Sequence, residues 1–389
     1  VRVDIAVLLD TQFWNSNWER LRSVHDPERI AIVLDHAIPA PGLREAAGNT
    51  RARQFARRFN VTRFFDVGNH GIVHQVIDEQ GWAIPGQVLA CSDSHTCAAG
   101  ALNVVARGLG AAEMMQIVCT GATWFQVPPT MRYDLTGQLA EDVTGKDLFL
   151  HLAGAFGDAI NHAWEFGGPG LGSLPMSERR TIAAQGAEVA ADFTIFEADE
   201  RCLAYVAERA SVPSNPAHPD PDARYASRRS IDMSTVGPMV ARPDAVIDNV
   251  APVADIGDVH IDQCFIGSCA NGKIEDLEVA ARVLSGNSVA PGTRLIITPA
   301  SQATYAEASR RGYLTTFVEA GAVVTNPTCG ACPGYTLGVI GPGETCLTAS
   351  TRNFRGRMGS PDAAIYMASP ATVAASAITG HITDPRTIR

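Results

Sequence analysis

The 389-residue chain carries 31 Lys and Arg against 41 Asp and Glu, and the formal net charge of −10 argues against a general nucleic-acid binder. No apolar run approaches the length of a membrane span, and no segment reads as a signal peptide. Nine cysteines without regular spacing do not make a secreted disulfide framework, so a reducing cytoplasm is the expected setting.

Along the chain, short apolar runs alternate with helical patterns. I-A-I-V-L at 30–34 reads as a strand, with an Arg-rich polar stretch at 43–59 after it. G-Q-V-L-A-C at 86–91 reads as another, and the two segments at 101–118 are expected to follow it as helix. The rhythm returns at 259–267 before E-D-L-E-V-A-A-R-V-L, and at 294–299 before A-T-Y-A-E-A-S-R-R-G. Such β-α units imply an α/β fold with mostly parallel sheets. V-P-P-T at 127–130 looks like a boundary, and the Pro-rich 211–224 segment cannot be a regular element. Three domains are expected, at 1–127, 128–245 and 246–389. Cys91, Cys119, Cys202 and Cys264 stand beside apolar residues and read as buried thiols.

Several motifs carry chemistry. In L-D-H-A-I-P-A, Asp35 and His36 directly follow an apolar run, which puts them at the C-terminal edge of a strand, where open α/β sheets bind ligands. An adjacent carboxylate fixes an imidazole tautomer and raises its basicity, although a strand-end turn explains an isolated Asp-His as well. G-N-H-G-I-V-H-Q offers His70 and His74, the latter in an apolar setting that also suits a satisfied core histidine. Asp93, Ser94 and His95 in C-S-D-S-H-T-C again lie between a strand and a helix. Being contiguous, they cannot form a serine-hydrolase triad.

Cys269 in F-I-G-S-C-A-N-G and the pair Cys329 and Cys332 in N-P-T-C-G-A-C-P-G are ringed by Gly267, Gly330, Ala331 and Gly334, which let the backbone approach a bulky inorganic core. Three thiolates on a cubane cluster leave one iron open as a Lewis acid. C-x-x-C equally suits a redox pair or half a zinc site. Pro327 and Pro333 put the pair in an irregular loop rather than at a helix start, and no obvious fourth zinc ligand stands nearby. Finally, Arg352 and Arg357 in T-R-N-F-R-G-R offer two guanidinium forks suited to a di- or tricarboxylate.

Together D-H-x-x-P, G-I-x-H-Q, D-S-H-T, F-I-G-S-C-x-N-G-x-I-E-D-L, C-G-x-C and R-N-F-x-G-R resemble the aconitase superfamily, in its branch of 3-isopropylmalate dehydratase and homoaconitase large subunits. The resemblance runs through nearly the whole chain. It implies a three-domain aconitase-like core and a [4Fe–4S] cluster on Cys269, Cys329 and Cys332 with one iron not ligated by protein. It also implies isomerisation of a 2-hydroxy acid by dehydration and rehydration. Asp35 and His36 match the acid pair at the departing hydroxyl, and His74 with Asp93 and His95 match groups around the iron-bound oxygen. Glu188 in T-I-A-A-Q-G-A-E matches a glutamate beside the labile iron, and Arg352 and Arg357 match carboxylate binders. Ser94 and Asn271 are counted with those two as substrate-binding residues.

Three positions depart from the family pattern: Ala184 and Thr351 stand where Asn is usual, and Ala270 alters S-C-T-N. The aromatic stretch D-T-Q-F-W-N-S-N-W at 10–18 also differs. The departures suggest an unusual 2-alkylmalate or weakened activity, so an inactive relative is an alternative. So is an RNA-binding one, which the acidic charge opposes. The swivel domain, bearing the catalytic serine base, belongs in this branch to a separate small subunit, the expected partner.

Overall fold

The computed structural model describes residues 1–388. Three sheets take up successive stretches of the chain. The first contains β1 (Ile5–Leu9), β2 (Ile30–Val33), β3 (Arg63–Phe65), β4 (Val88–Cys91) and β5 (Val105–Gly108), in the order β3-β2-β1-β4-β5. All its pairs are parallel. β1 (I-A-V-L-L) and β2 (I-A-I-V) are buried at every position, the continuous apolar pattern of strands covered on both faces. Helices α1 (Leu43–Phe59), α2 (Val73–Glu79) and α3 (Ala111–Thr120) supply the crossovers and cover. α1 stops at Asn60, whose left-handed φ of 56° ends the helix.

The second sheet is parallel throughout, in the order β8-β7-β6-β9, from β6 (Thr130–Thr136), β7 (Ala163–Gly167), β8 (Phe193–Phe196) and β9 (Ser227–Asp232). Its core is aromatic: Phe166 stacks on Phe196 at 4.6 Å, and Tyr133 meets Trp164 edge-on at 5.3 Å. Such pairs add about 0.5–1.5 kcal/mol beyond area burial. Helices α4 (Gly145–Phe156), α5 (Met176–Gln185) and α6 (Glu200–Ala207) accompany it.

The third sheet has seven strands, ordered β11-β10-β16-β15-β12-β13-β14. β10 (Met239–Ala241) pairs antiparallel with both β11 (Val250–Pro252) and β16 (Ala364–Ala368). β12 (Gln263–Ile266), β13 (Arg294–Ile297), β14 (Val323–Val324), β15 (Thr345–Thr348) and β16 are parallel. The one-turn α7 (Ser268–Asn271) follows β12, and α8 (Ile274–Leu284), α9 (Gln302–Arg310), α10 (Tyr313–Glu319) and α11 (Pro370–Thr379) complete the layers. The α/β class with mostly parallel sheets is thus as the sequence implied. No helix among the described residues is long and apolar enough to cross a membrane.

Two expectations need correction. Residues 101–110 do not form the expected helix: a 3-10 segment, Ser94–Leu102, covers only the first two of them and ends at left-handed Asn103, and Val105–Gly108 becomes an edge strand pairing Val88 with Val105. A short apolar run does not distinguish helix from strand, and here Val104 and Val105 favour the extended state. Cys119 is exposed, because it falls on the outer face of α3 whereas Met114, Ile117 and Val118 face inward. Cys91, Cys202 and Cys264 are buried as expected.

The strand orders locate the site. In the first sheet the order reverses between β1 and β4, and in the third between β12 and β15. Crevices at the carboxyl ends of strands flanking such a reversal are where open α/β sheets bind ligands. The first supplies Asp10 after β1, Asp35 after β2 and Asp93 after β4; the third supplies Cys269 after β12, Cys329 after β14 and Thr351 after β15.

Candidate active site

These two edges share one cleft, with about 550 Å³ of space open to solvent. Asp35, His36, His74, Asp93 and His95 line it from the first sheet. Cys269, Cys329, Cys332, Thr351, Arg352 and Arg357 line it from the third.

On the first side, Asp93 is the hub. Its Oδ1 accepts from the His95 backbone N–H and lies 2.8 Å from His74 Nε2, while Oδ2 stands 3.8 Å from His36 Nε2. Burial works against its charge, but His74 and His95 outweigh it and hold the carboxyl well below its usual range. His95 Nε2 reaches Glu188 Oε1 at 2.8 Å and its Nδ1 stands 3.4 Å from Asp93 Oδ1, so the ring faces a carboxylate at each nitrogen. Buried Asp35 accepts from the Val73 N–H at the start of α2, and Cys329 Sγ approaches its other oxygen at 2.9 Å. Burial also opposes a charge on His36, yet Asp35, Asp10 and Asp93 prevail and push the imidazole up to about 10.

α2 is anchored from behind. Buried Arg180 on α5 forms an ion pair with Asp78 at 2.8 Å and donates to Gln75 Oε1 at 2.7 Å. Beside Asp78, at the same C-terminal end of α2, Ser301 Oγ donates to Glu79 Oε1 at 2.5 Å. His74 therefore sits on a helix tied to both neighbouring layers.

On the third-sheet side, Cys269 rides on α7, entered through Ser268 at a left-handed φ of 73°. Lys273 and Thr181 both donate to the Ala270 carbonyl, and Lys273 also pairs with Asp276 at 2.8 Å, fixing that turn against α5. The loop bearing Cys329 and Cys332 is irregular, as Pro327 and Pro333 implied. Gly330 has φ 59°, and a Cβ there would stand 2.6 Å from Thr298 Oγ1, so the turn requires glycine. All three cysteines are free, and their sulfurs are not all within 4.8 Å of one another. Arg357 Nη2 lies 3.5 Å from Cys332 Sγ; burial resists ionisation of this thiol, but the guanidinium prevails and holds it below its ordinary range. Thr351 Oγ1 is 3.9 Å from the same sulfur. Arg352 donates to Glu188 at 2.8 Å and to Ser94 Oγ at 2.9 Å, bridging the two sides.

Most residues singled out in the sequence thus converge. Ser94 and Glu188 join through Arg352 rather than by lining the cleft. Asn271 does not line it: its side chain is fully buried and donates to Asp276 Oδ1 at 2.9 Å, because α7 turns it away from the cleft towards the cap of α8. Ala184 is likewise buried, with its carbonyl 3.5 Å from Cys97 Sγ. The sequence reading missed Asp10, whose two oxygens accept from the His36 and Ala37 N–H groups. Its position just after the apolar run I-A-V-L-L is the same signal that exposed Asp35. Tyr335, whose hydroxyl donates to the His36 carbonyl at 2.8 Å, carried no such signal.

The sequence model of the Aconitase family (aconitate hydratase) matches residues 25–255 and 245–380. Among curated proteins, the 3-isopropylmalate dehydratase large subunit of Mycolicibacterium smegmatis is 56% identical over 388 residues, covering 100% of this chain and 92% of that one. The 3-isopropylmalate dehydratase large subunit 1 of Methanopyrus kandleri is 42% identical, covering 93% and 87%. The probable methanogen homoaconitase large subunit of Methanosarcina mazei is also 42% identical, covering 98% and 96%. Among solved structures, Thermococcus kodakaraensis aconitase X in its holo-form aligns with a TM-score of 0.52 at 13% identity, over 93% of this chain and 87% of that one, a likeness of fold. The chain belongs to the aconitase family.

Proposed function

We propose that the chain is the large subunit of a hydro-lyase that isomerises 3-isopropylmalate, with an iron–sulfur cluster on Cys269, Cys329 and Cys332. The observation that carries this reading is the meeting of three free thiols, two Asp–His sets and two arginines in one cleft. It is joined by 56% identity to a 3-isopropylmalate dehydratase large subunit.

The thiols fit a cluster better than one ion held by all three. Zinc at about 2.3 Å from each sulfur needs sulfurs under about 4 Å apart in a tetrahedron, and these sulfurs are more widely set. A [4Fe–4S] cluster would be held by the three cysteines with one iron free of protein, supplying a Lewis acid for the departing hydroxyl.

The chain's own groups have separable tasks. Arg357 has a buried Nε with no hydrogen-bond partner, a donor left over for a substrate carboxylate. Arg352, aligned by Glu188 and Ser94, offers a second fork. His36, backed by Asp10 and Asp35, holds a proton for the leaving hydroxyl, and Asp93 orients His74 and His95 around the same position. The base for the carbon-bound proton and the remaining carboxylate contacts are assigned to a small subunit.

The reading is tested by the kcat/KM of the two-subunit complex on a panel of 2-alkylmalates and homoaconitate. 3-Isopropylmalate is expected to lead, and a preference for homoaconitate would favour the second reading, which the Methanosarcina mazei relative motivates. Thr351 lines the cleft where the family pattern has Asn. Thr351→Asn should shift relative kcat/KM within that panel by about 1–3 kcal/mol, the worth of one or two polar contacts. An unchanged ranking would make the position incidental.

A further inference from the structure

Three donors of different chemistry meet on one wall of the cleft. Cys329 Sγ is 2.9 Å from Asp35 Oδ1, and His36 Nδ1 is 3.7 Å from that same oxygen. One donor atom from each of the three lies within 4.8 Å of the other two. His36 Nδ1 is buried without a hydrogen-bond partner, so no hydrogen bond to the protein has to break for it to ligate once its proton leaves. The surroundings favour a cation: Asp10 Oδ1 stands 3.7 Å from Nδ1 and Asp93 Oδ2 3.8 Å from Nε2 of the ring. Thiolate, imidazole and carboxylate form a ligand set that zinc accepts, with a fourth position left towards the open cleft.

We propose that the cluster-free chain binds one divalent cation of the zinc class on Asp35, His36 and Cys329, and that this ion and the iron–sulfur cluster exclude each other. The exclusion rests on the reading of Cys329 as a cluster ligand, since one sulfur cannot serve both. Binding displaces two protons, one from the Cys329 thiol and one from the His36 imidazolium, because only the thiolate and the neutral imidazole ligate. A zinc-loaded chain is then a dead end for assembly until the ion is withdrawn.

The test uses the full chain, stripped of iron and zinc and kept reduced, titrated with cobalt(II) as the spectroscopic probe and then with zinc. One equivalent of cobalt should bind with sulfur-to-metal charge-transfer absorption, and zinc should displace it. Loss of an outer partner already costs metal affinity ~10–100-fold, so Asp35→Asn and His36→Ala should each weaken zinc binding by at least about a hundredfold. Cys269→Ser and Cys332→Ser should leave it near that of the parent. Thermal melts of the metal-free variants separate ligand loss from unfolding, and His36→Ala, at a half-buried position, serves if Asp35→Asn does not fold. Binding that survives both Asp35→Asn and His36→Ala but disappears in Cys332→Ser would overturn the proposal in favour of a C-x-x-C site. Undiminished zinc binding to the cluster-loaded chain would overturn the exclusion. Failure of the chain to take up iron would instead strike the cluster reading and leave the zinc ligands standing.

Discussion

Loaded with iron and sulfide but assayed without a small subunit, the chain is expected to turn over no 2-alkylmalate, and a small subunit should raise turnover by several orders of magnitude. His36, Arg352 and Arg357, the proton donor and carboxylate binders of the proposed function, line a cleft that stays open to solvent. Tyr335, bonded to the His36 carbonyl, and Phe354, two residues after Arg352, remain 39% and 46% exposed. A partner closing over this mouth would cover such rings, expel water and bring a base. Acid–base catalysis alone typically contributes ~10²–10⁴-fold, and correct positioning multiplies it. Full activity from the lone chain would show that its own residues hold the missing base. The measurement is initial rate against small-subunit concentration at fixed iron content.

Asp93→Asn should lower kcat of the complex by ~10²–10⁴-fold, the range of a positioned acid–base set, while iron content stays unchanged. One carboxylate serves three histidines: it accepts from the His95 N–H, meets His74 Nε2 at 2.8 Å and faces His36 at 3.8 Å. The amide presents an N–H₂ where one oxygen now stands, so it cannot keep both Oδ1 contacts and the charge facing His36. Asp93 touches none of the three cysteines directly, so absorption of the bound iron should persist. Loss of iron together with activity would mark Asp93 as a support for the cysteine side instead.

The parts of this arrangement that could be read from sequence are those with a local cause. Asp35 and Asp93 follow buried apolar strands, and strand ends at a reversal of strand order are where such sheets bind ligands. Pro327 and Pro333 forbid regular structure around Cys329 and Cys332, and the loop is indeed irregular. The unread parts depend on contacts distant in sequence. Lys146 is fully buried and donates to the Ser350 carbonyl 204 residues away, behind Thr351 and Arg352. Arg180 meets Gln75 across 105 residues. Nothing adjacent to either side chain reveals its partner. The 101–110 segment failed for the opposite reason: local composition suited helix and strand alike, and pairing with β4 decided it.

The central claim is that Cys269, Cys329 and Cys332 hold an iron–sulfur cluster, and iron and sulfide content after anaerobic reconstitution of the metal-stripped chain tests it most directly. The account predicts about four irons and four sulfides per chain, the cubane stoichiometry. Broad visible absorption should bleach in air. Uptake should vanish in Cys269→Ser, Cys329→Ser and Cys332→Ser and persist in Cys91→Ser and Cys202→Ser, whose thiols are buried elsewhere. A chain that takes up no iron under reducing conditions, or whose uptake survives all three serine substitutions, would contradict it.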